Sequence, residues 1–211
     1  MPDFLAALHA LQEGGVKFAV VGGLAAILNG APVNTFDLDI VPARDKENIG
    51  KLLLVLDRLD AVYRMQPAKR IKPNASHLSS PGHHNPITNC GPLDVLGTIG
   101  RGLSFEGLLP HSTEMEIGGR VRVRVLDLAT IVVLKEELAG EKDLAVLPIL
   151  RRTLEEKRRG RRLTRGPAVI LKEGETYDCG SNGILGRLPR TCGNTMSHSM
   201  KPRACSSIPC R

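Results

Sequence analysis

An apolar run, Val16-Lys17-Phe18-Ala19-Val20-Val21, ends in Gly22-Gly23, and the chain soon returns with Thr35-Phe36-Asp37-Leu38-Asp39-Ile40-Val41. So short a run rich in Val and Phe specifies a strand rather than a helix. The two glycines permit a tight turn and a close backbone approach. Leu24-Ala25-Ala26-Ile27-Leu28 then opens a small-residue helix, stopped by Asn29-Gly30 and Pro32. Unpaired N–H groups at such a helix start would face an anion such as a triphosphate. A Gly-Gly after a strand is by itself most often only a turn; its order with the helix and the Asp-x-Asp strand that follows is what constrains the chain most.

The second strand carries the chemistry. Side chains alternate along a strand, so Asp37 and Asp39 are expected to share one face while Leu38 and Ile40 pack on the other. Two carboxylates that close repel unless a cation lies between them. Mg²⁺ suits them, because it takes hard oxygen ligands and is commonly shared with substrate phosphates. Gly91-Pro92-Leu93-Asp94-Val95-Leu96 places a third Asp in another short apolar strand. Burying a lone carboxylate is costly, and a metal shared with Asp37 and Asp39 would offset that cost. The alternative is a strand-end Asp94 in water.

These residues carry a family resemblance. Val20-Val21-Gly22-Gly23-Leu24-Ala25-Ala26 with Thr35-Phe36-Asp37-Leu38-Asp39-Ile40 resembles the minimal nucleotidyltransferases of the DNA polymerase β-like superfamily, nearest to the toxin-type members of abortive-infection toxin–antitoxin pairs. The likeness continues through residues 91–96, Val125-Leu126-Asp127-Leu128-Ala129-Thr130-Ile131, Leu134-Lys135 and Lys142-Asp143, covering about residues 1–160. It implies an α/β (α+β) fold, a small mixed β-sheet core flanked by helices with a helical C-terminal part. It also implies Asp37, Asp39 and Asp94 as catalytic metal ligands, with Gly22, Gly23, Thr35 and Lys135 binding nucleotide. Two Mg²⁺ ions, or Mn²⁺ in their place, would be the cofactors. The implied reaction is transfer of an NMP from an NTP to an acceptor hydroxyl, the 3′ end of tRNA in the toxin-type members, with a cognate antitoxin protein as partner. Transfer to a protein side chain, transfer to an aminoglycoside-like small molecule, and a non-catalytic nucleotide- or RNA-binding role are the alternatives. The chain departs from the family in having Val33-Asn34 where many relatives carry a basic residue, and Gly22-Gly23 where many carry Gly-Ser.

Composition sets the remaining bounds. The 211 residues suit one compact domain with an extension. No apolar stretch is long enough to span a membrane and no leader is apparent, so we expect a cytoplasmic protein with no membrane partner. Aromatics make up only 3%, too few for the stacking platforms of a dedicated single-strand binder. The net charge of +7 is unevenly placed: residues 1–150 hold 15 Lys and Arg against 17 Asp and Glu, and residues 151–211 hold 14 against 5. The densest run is Arg151-Arg152 with Lys157-Arg158-Arg159-Gly160-Arg161-Arg162. It reads as a solvated helix end or as a track for an RNA backbone.

The middle of the chain adds a helix over residues 51–59 and a proline-rich loop or irregular strand over residues 66–90. His77, His83, His84 and Cys90 there match no common zinc spacing, and we read them as loop polarity. Gly118-Gly119 between residues 113–117 and 120–125 predicts a hairpin. Val121, Val123 and Val125 face the core in that reading, and Arg120, Arg122 and Arg124 form a basic stripe, either a charged edge or a contact to RNA or nucleotide phosphate. Residues 126–138 predict a helix with 128, 131, 132 and 134 buried. Gly140 ends it and residues 143–157 begin another; Asp143 either caps that helix or orients Lys135. We therefore divide the chain into a nucleotidyltransferase-like domain at 1–163, with its sheet core to about 126, and a basic tail at 164–211. Four of the five cysteines, at 179, 192, 205 and 210, fall in that tail, which we expect to be disordered.

Overall fold

The computed structural model describes residues 2–164 apart from 66 and 139. The expectations for the tail beyond residue 164 and its cysteines lie outside the described residues.

The fold grows from a few locally specified elements. Helix α1 (Phe4–Glu13) starts where the Asp3 carboxylate accepts from the Ala6 N–H at 2.9 Å, and it buries Ala7, Leu8 and Leu11. Strand β1 (Phe18–Val20) leads into α2 (Gly22–Leu28), which starts two residues earlier than the residues alone suggested. Asn29 ends α2 as expected, and more: its buried amide donates to Ala25 O and to Leu126 O, at 2.9 and 2.8 Å. Strand β2 (Leu38–Pro42) follows, then α3 (Lys46–Arg58). The Asp45 carboxylate caps α3 through the Asn48 N–H, so the helix begins five residues before the expected Lys51. Asn48 is itself buried, and its side chain bonds Lys17 N, Lys17 O and Ala43 O.

The stretch expected to be irregular folds into short pieces: β3 (Val62–Tyr63), a helical turn at Pro67–Lys69, α4 (Ala75–Leu78), β4 (His83–His84) and β5 (Pro86–Thr88). Strand β6 (Gly91–Leu96) comes next, then α5 (Phe105–Leu108). The expected hairpin is β7 (Ser112–Ile117) with β8 (Val121–Leu126), turned through Gly118 and Gly119 at positive φ. Helix α6 (Leu128–Leu138) buries Leu128, Ile131, Val132 and Leu134, the four positions expected. Helix α7 (Glu141–Thr164) packs beside it.

The strands form one mixed sheet in the order β3-β5-β6-β2-β1-β8-β7, with β4 also pairing β6. Strand β2 runs antiparallel to β1 and parallel to β6, and β1 runs parallel to β8. The fold class is therefore the expected α/β mixed sheet flanked by helices. One detail differs: the Arg-bearing strand β8 is interior and β7 is the edge. The basic stripe is also answered across the hairpin, where Arg122 pairs with Glu116 and Arg124 lies in register with Glu114. The other face of these strands is core, with Leu38, Ile40, Leu93, Val95, Val123 and Val125 all buried. Among the described residues no helix is long and apolar enough to cross a membrane.

Candidate active site

The parallel register of β2 and β6 sets Asp39 directly opposite Asp94. Leu38 and Ile40 in β2, and Leu93 and Val95 in β6, go to the core, so alternation sends both carboxylates to the other face. Asp37 lies just before β2 rather than within it. It joins the other two because Thr35 Oγ1 donates to its Oδ1 at 2.9 Å and to its backbone carbonyl at 3.2 Å. The outcome is the expected convergence by a partly different route. Asp37, Asp39 and Asp94 each offer an oxygen, and these atoms all lie within 4.8 Å of one another.

The glycine turn is built against this cluster. Gly22 has φ +61°, and a Cβ there would fall 2.0 Å from Asp39 Oδ2. Only glycine satisfies both the left-handed backbone and the contact. A Cβ on Gly23 would fall 2.5 Å from Thr35 Oγ1. The Gly23 N–H is also a hydrogen-bond donor to Asp39. The turn and the acidic strand are thus one packed unit.

Two cations reach the site. Lys135, at the end of α6, lines a cavity of about 260 Å³ together with Gly22, Asp39 and His83, over an otherwise apolar wall that includes Leu96, Ile99 and Leu134. Asp143 pairs with the Lys135 ammonium from α7. The structure thereby selects orientation of Lys135 over helix capping for Asp143, which lies inside α7. The second cation is Arg64, directly after β3, whose guanidinium bonds the Asp94 carboxylate. Sequence reasoning missed Arg64. It follows a two-residue strand and is 30 residues from Asp94 in the chain, so no local pattern marks it.

Charge, not hydrogen bonding, is what this site leaves open. Every buried side-chain nitrogen and oxygen among the described residues has a partner. Counting Asp143 with the three converging carboxylates gives four acids against the two cations Arg64 and Lys135. With all of them ionised, two negative charges are uncompensated. Asp39 registers the excess: burial, then Asp37 and Asp94, push its carboxyl up to about 7, against smaller opposing effects from the Gly23 N–H and Lys135. Three hard oxygen donors with this deficit fit a divalent cation of the Mg²⁺ or Mn²⁺ type. The histidines expected to be mere polarity do not gather into a metal-binding group among the described residues.

No family model matches the chain, and no curated protein matches it. Among solved structures, the lincosamide antibiotic adenylyltransferase LnuA in its lincomycin-bound form aligns with a TM-score of 0.47 at 14% identity, over 71% of this chain and 94% of that one. The antibiotic-resistance factor ANT(2'')-Ia aligns with a TM-score of 0.46 at 14% identity, over 76% of this chain and 90% of that one. Likenesses this distant assign no activity, and the function has to be read from the site's own residues.

Proposed function

We propose that this protein is a metal-dependent nucleotidyltransferase that moves an NMP from an NTP to an acceptor hydroxyl. The observation that carries this reading is the convergence of Asp37, Asp39 and Asp94 on one face of the sheet, beside a glycine turn and Lys135. Asp37, Asp39 and Asp94 would hold Mg²⁺, which when bound would neutralise charge on the attacking and leaving oxygens. The charge deficit of the protein corresponds to one divalent ion; a second would depend on the nucleotide's own phosphates. Gly22, Gly23 and Lys135 would receive the triphosphate, with Lys135 acting as a point charge held in place by Asp143. The neighbouring apolar cavity would take the nucleoside.

In the transfer itself the acceptor oxygen attacks the α-phosphorus in line, and the bond to the bridging oxygen of the β-phosphate breaks. Pyrophosphate leaves, and the hydroxyl proton passes to the Asp94 carboxylate. Thr35 keeps Asp37 in position and, packed against Gly23, would also reach the nucleotide. The protein contributes placement and charge rather than covalent chemistry.

For the acceptor we propose the 3′ end of tRNA, in the manner of a toxin whose activity a cognate antitoxin restrains. The support is the basic face of α7, where Arg158 and Arg159 are exposed, together with Phe36. That ring is 76% exposed beside Asp37 and offers a surface on which a base can stack. The test is incubation with Mg²⁺ and each NTP labelled at the α-phosphate, in the presence of total tRNA, total cell protein or an aminoglycoside. Label in tRNA, lost with Asp39→Asn, is the expected result. Label in protein or in the small molecule would keep the chemistry and replace the acceptor. Retained transfer in a folded Asp39→Asn variant would overturn the chemistry.

A further inference from the structure

Arg64 reaches one of the three carboxylates assigned to the proposed cation. Its guanidinium bonds Oδ1 of Asp94, whose side chain is only 13% exposed. It does not hang there loosely. The Arg64 backbone N–H donates to the Asn85 carbonyl at 3.1 Å and Nε donates to the same carbonyl at 3.3 Å. One backbone oxygen therefore fixes both ends of the residue while one terminal nitrogen reaches the Asp94 carboxylate. A guanidinium bonded to this carboxylate neutralises part of its charge and places a positive charge beside the three oxygens, so it opposes entry of a divalent ion.

We propose that Arg64 is an exchangeable counter-ion: it neutralises Asp94 in the metal-free protein, is repelled from the carboxylate when a cation enters, and then serves as a ligand for substrate phosphate. This rests on the reading of the three aspartates as a metal site. The fork of the guanidinium suits both partners, since carboxylate and phosphate present the same spacing of oxygens. Arg64 is thus a positioning residue for the triphosphate as well as a competitor of the metal. The exchange couples the two ligands. Cation binding frees the arginine, and the freed arginine favours the phosphate-bearing substrate, so metal and nucleotide enter cooperatively.

Mn²⁺ binding followed by electron paramagnetic resonance tests this without any turnover, using the full chain and inorganic triphosphate as a probe independent of base. Arg64→Ala should bind Mn²⁺ alone more tightly than the unsubstituted protein, on the order of tenfold, as expected for loss of a close opposing charge contact. It should bind triphosphate in the presence of Mn²⁺ less tightly by a similar factor. Arg64→Lys keeps the charge and loses the fork held by Asn85, so tighter Mn²⁺ binding there too would show the held contact with Asp94 rather than a distant field. Thermal melting checks that each variant folds, with Arg64→Gln in place of the alanine variant if it does not. Mn²⁺ affinity unchanged or weakened in the Arg64 variants would overturn the proposal, as would undiminished triphosphate binding. The two readings fail differently. Mn²⁺ binding indifferent to Asp39→Asn removes the metal site itself, whereas binding lost with Asp39→Asn but indifferent to Arg64 removes only the exchange.

Discussion

Two polar clusters sit on opposite faces of the same sheet, one residue apart along β6. Asp94 faces Asp39 on the front, and Val95 pairs with His84 on the back. The back cluster closes on itself. The Tyr63 hydroxyl lies 3.1 Å from His77 Nδ1 and 3.3 Å from His84 Nδ1, and the two imidazoles stack at 13°. Asn74 and Ser80 take the remaining ring nitrogens. Burial holds His84 below the usual imidazole range, which favours its neutral form. The front cluster leaves no buried polar atom without a partner and still carries an excess of negative charge. Polar groups that satisfy one another make structure, and like charges forced together call for a ligand.

The sharpest way to break this contrast is to remove a charge from the front. Asp39→Asn should lower transfer by roughly a thousandfold or more, the scale of losing a main electrostatic stabiliser. The same substitution should raise the melting temperature of the metal-free protein at pH 8, because it relieves burial and repulsion of a carboxylate. A fall in melting temperature would contradict the charge account. Lys135→Ala comes next, with transfer down about a hundredfold and a lower melting temperature, since Asp143 and Asp39 lose a shared cation. Asp143→Asn should show a smaller loss of the same kind, since Lys135 remains but is no longer held.

A pH series sharpens the comparison further. The Asp39 carboxyl titrates near 7 in the folded protein, well above its unfolded value of 3.8. Its protonation therefore stabilises the metal-free fold fully below pH 3.8, and that contribution is lost as pH rises through 7. A cation must displace the proton, so Mn²⁺ affinity should climb by about tenfold per pH unit approaching 7 and level off above it. A flat profile between pH 5 and 8 would contradict the raised carboxyl. The smallest effects belong to the back cluster. Tyr63→Phe and His77→Ala should cost about 1 kcal/mol of stability each and leave transfer within twofold.

How much of this could be read from the residues alone follows from where each signal lives. The glycine turn, both aspartate-bearing strands, the hairpin and the buried stripe of α6 are local, because their periodicity and turn chemistry lie in consecutive residues. Asp94 could be chosen because a carboxylate within an apolar strand is conspicuous. Arg64 could not, since its role depends on how β5 carries Asn85 back beside it. The bond by which Thr35 steadies Asp37 depends on the turn between them, which no residue spacing announces. Asp143 stayed open between two roles until α6 and α7 were packed together. The start of α3 was legible in Asp45 and went unread.

The contrast between the faces can be put to one direct measurement, the anomalous difference map of a crystal soaked in Mn²⁺. The account predicts a peak between Asp37, Asp39 and Asp94, and none at Tyr63, His77 and His84. A map with density at the histidines, or none at the aspartates at saturating Mn²⁺ and pH 8, would contradict it.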